Sequence, residues 1–234
     1  MAELQYSSLI SDANLISYWR LNGDFVDSKS GYDLTPGAGV PTDITGKFAG
    51  GKGFASASSQ YASIANASCP NLEISGSQTW ICWAKPATAL AWQWLMCKAN
   101  GQRGLGMTGD TGKYRFRVNG LSTTNDISSD VAVSTGSWVF LAGIYDSANS
   151  KIKIWVNTTK KEATAGGTAT DQDGDFYLGS RTGGDYLNAD LDDCYVFNRA
   201  LTDAEIGILY NDLSATANQL KQYRRTRVPG AITG

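Results

Sequence analysis

An all-β chain folded as an antiparallel two-sheet jelly-roll sandwich, with one short C-terminal helix and extended terminal arms, is the fold class this sequence predicts. Three observations carry it. Short strand-like segments recur along the chain with turn residues between them. Several of those segments alternate apolar and polar residues with period two, the mark of half-buried antiparallel strands with one wet face. Gly is abundant at 26 residues and Pro sparse at 5, which suits many hairpins without a Pro-rich linker. About eleven such strands stack most simply as two sheets.

In chain order, Leu15–Leu21 carries the aromatic pair Tyr18-Trp19 and is followed by a turn at Asp27-Ser28-Lys29-Ser30-Gly31. Gly53–Ile64 and Leu72–Ile74 follow, then Gln78–Lys85, a strand stopped by Pro86. Trp92–Lys98, Gly104–Thr108 and Tyr114–Val118 come next, the last two joined through Gly109-Asp110-Thr111-Gly112. Tyr114, Phe116 and Val118 share one face of their strand, and Arg115 and Arg117 share the other. Ser137–Tyr145 and Lys151–Asn157 form a hairpin about Asp146–Ser150, with Ile152 and Ile154 alternating with lysines. Asp175–Leu178 and Leu191–Phe197 complete the series, separated by Arg181-Thr182-Gly183-Gly184-Asp185.

The stretch Asn188–Asn211 closes the chain's organised part. After the strand, Asn198-Arg199-Ala200-Leu201 breaks the pattern, and Thr202 stands three residues before Glu205. That spacing is a capping box. Ile206, Leu209 and Tyr210 then recur at helical spacing, so a short one-sided helix must pack on something larger.

Taken in order, Tyr18–Gly23, Gly46-Lys47-Phe48-Ala49-Gly50-Gly51, Tyr61-Ala62-Ser63-Ile64, Gln78–Pro86, Trp138–Asn157 and Ala189–Tyr210 resemble the laminin-G-like jelly-roll family. That family lies within the concanavalin A-like lectin/glucanase group. The resemblance runs from about Leu15 to Asn211, which sets residues 15–213 as the domain, 1–14 as an N-terminal arm and 214–234 as a basic C-terminal tail. It implies core positions for Trp80, Trp138 and Trp155, and small inward residues at Cys82 and Cys194. One fold hosts many functions, so it implies much less about activity.

Enzyme classes are disfavoured by what is missing. Relatives that hydrolyse glucans carry carboxylates at alternating strand positions, acid and nucleophile on one face. Here the four Glu residues, 3, 73, 162 and 205, lie far apart. Asp190 and Asp192 alternate but fall where the family carries a structural acidic pair, and Asp192 is expected to accept from loop amides. With no histidine, a Ser–His–Asp triad is excluded. The four cysteines contain no C-x-x-C, so structural zinc is not expected. Cys82 and Cys194 read as free buried thiols, and the state of Cys69 and Cys97 stays open.

Calcium is the one cofactor the resemblance raises, held at a sandwich rim by oxygen ligands. The matching segment, Ser58-Ser59-Gln60-Tyr61, has no carboxylate. Asp171, Asp173 and Asp175, with Gly174 to turn the chain, are the alternative metal candidates, against the plainer reading of a solvated acidic turn. For carbohydrate, Trp92 and Trp94 share one face and serve either as core or as a stacking platform for a sugar or partner, the core reading being preferred. The sequons at Asn66 and Asn157 read as chance matches, because Met1–Gln5 opens no signal peptide.

No run of apolar residues is long enough to span a membrane, and no feature calls for nucleic acid. The tail has no acidic residue and carries Lys221, Arg224, Arg225 and Arg227; without those four charges, the net charge of −2 becomes −6 for residues 1–220. A basic tail on an acidic body suits an assembly contact. The functional expectation is therefore a non-catalytic structural or adhesion subunit of a large extracellular particle, in its preferred form a bacteriophage virion protein of capsid or tail. Its partners would be protein subunits, a homo-oligomer or capsid and tail neighbours. The alternative is a lectin-like carbohydrate-binding module that recognises surface glycans, with or without calcium.

Overall fold

A computed structural model describes residues 8–170, 173–182 and 184–211. Two antiparallel sheets stack face to face. The eight-stranded sheet runs β13 (Thr159–Thr164), β12 (Lys151–Val156), β11 (Val139–Asp146), β6 (Gln78–Pro86), β15 (Ala189–Phe197), β4 (Gly50–Phe54) and β3 (Thr42–Thr45). Its eighth strand, β1 (Leu15–Trp19), pairs with the C-terminal half of β15. The seven-stranded sheet runs β10 (Asp126–Ala132), β9 (Lys113–Val118), β8 (Arg103–Met107), β7 (Gln93–Lys98), β14 (Phe176–Leu178), β5 (Ala62–Ile64) and β2 (Thr35–Pro36). The chain crosses repeatedly between the sheets, staying in one for the runs β7–β10 and β11–β13, and β15, last in sequence, inserts between β6 and β4.

The core lies between the inner faces. Trp19 stacks on Phe176 across the sheets, ring centroids 4.6 Å apart, and Trp80 tilts against the same ring. Gly143 of β11 is required for this closeness, since a Cβ there would sit 2.2 Å from the Phe116 ring of β9. Cys82 and Cys194 point into the core as the resemblance implied, and all four cysteines are buried and free.

A second apolar cluster covers the outer face of the eight-stranded sheet. Ile81, Trp83, Phe140, Ile144, Tyr195 and Phe197 point outward there, beneath Leu9, Leu201, Ile206 and Leu209. Apolar residues on both faces explain why Trp80-Ile81-Cys82-Trp83 shows no alternation. The helix over 203–211 supplies part of the cover, and its capping box forms: the Thr202 Oγ1 accepts from the Glu205 amide at 3.2 Å, and the Thr202 amide donates back to Glu205 Oε2 at 2.8 Å. Glu205 also receives both arms of Arg199, whose Nε donates to Asp12 at 2.7 Å. The second half of the expected N-terminal arm thus belongs to the sandwich, with Leu9 buried in a short 3-10 turn (Ser8–Ser11).

Some sequence expectations change. Leu72–Ile74 is not a strand; Pro70–Leu72 forms a 3-10 turn that buries Leu72 in the core. Trp138 and Trp155 are half-buried on the outer face of the eight-stranded sheet, and of the three expected core tryptophans only Trp80 lies between the sheets. The turn at Asp27 is as expected, and its cause is visible: the buried carboxylate accepts from the amides of Tyr18, Lys29, Ser30 and Tyr32.

Candidate functional site

The outer face of the seven-stranded sheet carries a different chemistry. Arg115 and Arg117 of β9 point outward, and their register partners on β8 are Gly106 and Gly104. One strand further, Trp94 of β7 pairs with Gly106. With no side chain on β8 to fill the space, the Trp94 indole and the Arg115 guanidinium lean over its backbone. A Cβ on Gly106 would come within 2.7 Å of the Gln93 carbonyl, 3.3 Å of Trp94 and 3.4 Å of Arg115.

Both tryptophans are seated on glycine. A Cβ at Gly101, in the β7–β8 hairpin, would lie 2.7 Å from the Trp94 ring; one at Gly109 would lie 2.5 Å from the Trp92 ring. The Arg115 guanidinium sits 4.9 Å from the Trp92 ring centroid and 4.3 Å from that of Trp94, a cation held between two indoles. Trp94 is 2 % exposed and Trp92 is 46 % exposed, so one indole is floor and the other is rim. The two sequence readings of this pair therefore divide between its members.

A cavity of about 320 Å³ opens here, lined by Trp92, Trp94, Arg115, Arg117, Arg181 and Asp185 among others. Arg181 and Asp185, from the loop after β14, form an ion pair of 2.6 Å at its wall. An adjoining cavity of about 410 Å³ shares Trp92 and Arg115 and adds Thr108, Lys113, Asp126 and Ser128. Arg115 bridges them, with its Nη1 3.4 Å from Asp126 Oδ2. Burial lowers the Arg115 pKa, opposed by Asp126, and burial raises that of Asp126 despite Arg115 and Arg117. Beside the Arg181–Asp185 loop, Tyr61, Tyr177 and Tyr186 cluster with ring centroids 5.8 and 6.3 Å apart.

The other candidates are placed as follows. Asp171 lies outside the described residues. Asp173 is exposed, while Asp175 Oδ1 accepts from the Asn66 amide at 3.0 Å and so braces a loop. Among the described residues, no group of three or more His, Cys, Asp or Glu is placed to hold a metal ion. At the rim where the resemblance implies calcium, Gln60 links the Ala55 amide to the Val40 carbonyl, and nearby Asp190 pairs with Lys85 at 3.2 Å. One neutral amide and a lysine-paired carboxylate do not fit a calcium site. That rim has the larger cavity, about 480 Å³, but no Trp or Tyr lines it. Asp192 accepts from the Phe48 amide at 3.1 Å, the structural role expected for it. Lys221, Arg224, Arg225 and Arg227 lie outside the described residues.

Sequence reasoning singled out the two tryptophans but not the arginines or glycines around them. The available signal was one of phase: Arg115 and Arg117 share the wet face of their strand, and Gly104 and Gly106 share a face of the strand before it.

Among solved structures, domain 4 of AbnA, a GH43 extracellular arabinanase from Geobacillus stearothermophilus in complex with arabinotriose, matches with a TM-score of 0.66 at 17% identity, covering 87% of this chain and 99% of that one. The binding domain of Paraclostridial Mosquitocidal Protein 1 matches with a TM-score of 0.64 at 14% identity, over 85% of this chain and 52% of that one. The binding domain of botulinum neurotoxin DC in complex with SialylT matches with a TM-score of 0.60 at 15% identity, over 86% and 52%. This chain thus spans about half the length of either toxin fragment, and identities this low establish shared fold alone. No curated protein matches the sequence. A family model does, over residues 56–207, from the 3-10 turn (Ser56–Ser58) before β5 into the closing helix. The sandwich, the strand order and that match agree: the chain belongs to the concanavalin A-like lectin/glucanases superfamily, in its laminin-G form.

Proposed function

We propose that this chain is a non-catalytic carbohydrate-binding module whose binding face is the outer surface of the seven-stranded sheet. The observation that carries the reading is the open cavity built on Trp92, Trp94 and Arg115, three flat groups seated on glycine backbone. Sugar rings present an apolar face of C–H groups and an edge of hydroxyls. An exposed indole suits the first; arginine and aspartate side chains at the cavity wall suit the second. The fold matches support the direction, since the arabinanase domain is complexed with arabinotriose and the neurotoxin binding domain with SialylT. They favour the lectin-like alternative over the virion subunit expected from the sequence, for which no comparison offers support.

A glycan-array screen tests the proposal. Binding with a defined saccharide preference is expected, and Trp92→Ala should weaken it at least about tenfold, which corresponds to ~1.4 kcal/mol. The melting temperature should hold, because Trp92 is 46 % exposed. An array without any bound glycan, or unaltered binding by the variant, would overturn the assignment.

A further inference from the structure

We infer that the sugar taken by this face bears a carboxylate, and that Arg117 receives it. The inference rests on the glycan-binding reading and specifies the chemistry of its ligand. Three guanidiniums line the smaller cavity, those of Arg115, Arg117 and Arg181. Two are already answered: Arg115 by Asp126 at 3.4 Å and by both indoles, Arg181 by Asp185 at 2.6 Å. Arg117 differs in having no ion pair among the described residues, while its Nε, like those of Arg115 and Arg181, is buried without a well-aligned hydrogen-bond acceptor. Asp126 stands opposite Arg117 in the β9–β10 register, yet its carboxylate reaches Arg115 instead.

A half-buried guanidinium with an unanswered donor is costly unless something arrives to pair with it. Its register partner on β8 is Gly104, so no side chain of that strand stands beside it. A planar carboxylate is the ligand group that matches the arginine fork with two parallel hydrogen bonds. The same cavity offers the Trp94 and Trp92 indoles for the ring that carries the carboxylate. A sialic-acid-like or uronic-acid-like unit combines both features; a neutral sugar leaves Arg117 unanswered.

The test uses the full chain on an array carrying sialylated, uronate-bearing, sulfated and neutral glycans. The best carboxylate-bearing glycan and its carboxyl methyl ester are then titrated by calorimetry into the native protein, Arg117→Gln and Arg117→Lys. The acid should bind at least about tenfold more tightly than its ester. Arg117→Gln should abolish that preference. Arg117→Lys, which keeps the charge but loses the fork, should retain a smaller one. Native protein that prefers neutral or sulfated glycans, or that binds acid and ester alike, overturns the inference while leaving glycan binding intact. So does an Arg117→Gln variant that keeps the acid preference. The comparison of acid and ester on the native chain needs no variant to fold. If no glycan binds at all, the glycan-binding reading falls and this one falls with it.

Discussion

The outer faces of the two sheets begin from one geometry, alternate side chains on antiparallel strands, and end as opposites. On the eight-stranded sheet the outward positions are Ile81, Trp83, Phe140, Ile144, Tyr195 and Phe197, and Leu9 and the segment Leu201–Tyr210 are folded over them. On the seven-stranded sheet the outward positions of β7–β9 include Trp94, Gly104, Gly106, Arg115 and Arg117, and they frame an open cavity. The first face is stabilised by removing apolar area from water, at about 25 cal/mol per Å². The second keeps the Trp92 indole accessible at the rim of a cavity floored by Trp94 and Arg115, and glycines seat both indoles. One sheet therefore anchors the fold, and the other is free to recognise a ligand.

The comparison breaks first at Trp83. It is 2 % exposed, stacks on Tyr210 at 6.0 Å, and meets Phe140 and Phe48 edge-on. Trp83→Ala should cost ~3–5 kcal/mol in urea denaturation, the range for large buried aromatics, while ligand affinity stays unchanged at temperatures where the variant is folded. Trp92→Ala should do the reverse. If both variants lost the same property, the division of labour between the faces would be wrong.

Gly106→Ala sharpens the contrast. Its Cβ would approach a backbone carbonyl to 2.7 Å and crowd Trp94 and Arg115, so the strand must shift. A stability loss of ~1–3 kcal/mol is expected, as for overpacking, together with loss of binding. Retained affinity would show that the indole and guanidinium need not be seated as they are.

Much of this was legible from the sequence, and the strands that were missed entirely share a cause. The central strands β6, β11, β12 and β15 announce themselves through dense apolar runs or strict alternation, and the capping box fixes the closing helix. The strands that escaped, β2, β3, β10 and β13, are the outermost strands in the two sheet orders. They are short or polar, such as Thr159-Lys160-Lys161-Glu162-Ala163-Thr164, because an edge is kept from pairing with other chains by charge and brevity. The site was half legible for a related reason. Trp92 and Trp94 are conspicuous, but Arg117 matters through its register with Gly104 on another strand, and pairing is not written in one segment.

A third expectation concerns acid. Hydrogen bonds from Arg199, reinforced by Thr202, hold the Glu205 pKa down at about 2, below its ordinary 4.5. A lowered folded-state pKa means that this contribution is present above pH ~4.5 and is lost as pH falls towards ~2. Asp12, on the same arginine, is also lowered against the opposing effect of burial and acts in the same direction; Asp126, raised by burial, acts in the opposite one. The covered face should therefore loosen first in acid. Melting curves of the native protein should fall between pH 4.5 and 2, and Glu205→Gln should flatten that fall by removing the titrating group. An unchanged slope in the variant would place the acid sensitivity elsewhere.

The smallest effect expected is at the thiols. Cys82 and Cys194 both point into the core from the adjoining strands β6 and β15. Burial drives the Cys194 pKa well above its ordinary value, and the neighbouring Cys82 thiol, with Asp192 and Asp193, pushes in the same direction. Burial likewise takes Cys97 up to about 12, and it raises Cys69. Only a thiolate attacks a disulfide reagent, so Cys69, Cys97 and Cys194 should not react at pH 8 in the folded chain, and Cys82 is closed to the reagent by its complete burial. Unfolding without reductant should release all four as free thiols. Cys194→Ala removes one small buried group and should cost ~1–2 kcal/mol, well below the loss at Trp83, with binding unaffected. A thiol that reacts rapidly in the native protein would mean that the core between the sheets opens far more readily than its packing implies. Fewer than four thiols after unfolding would mean that a bridge contributes to the stability ascribed here to apolar burial.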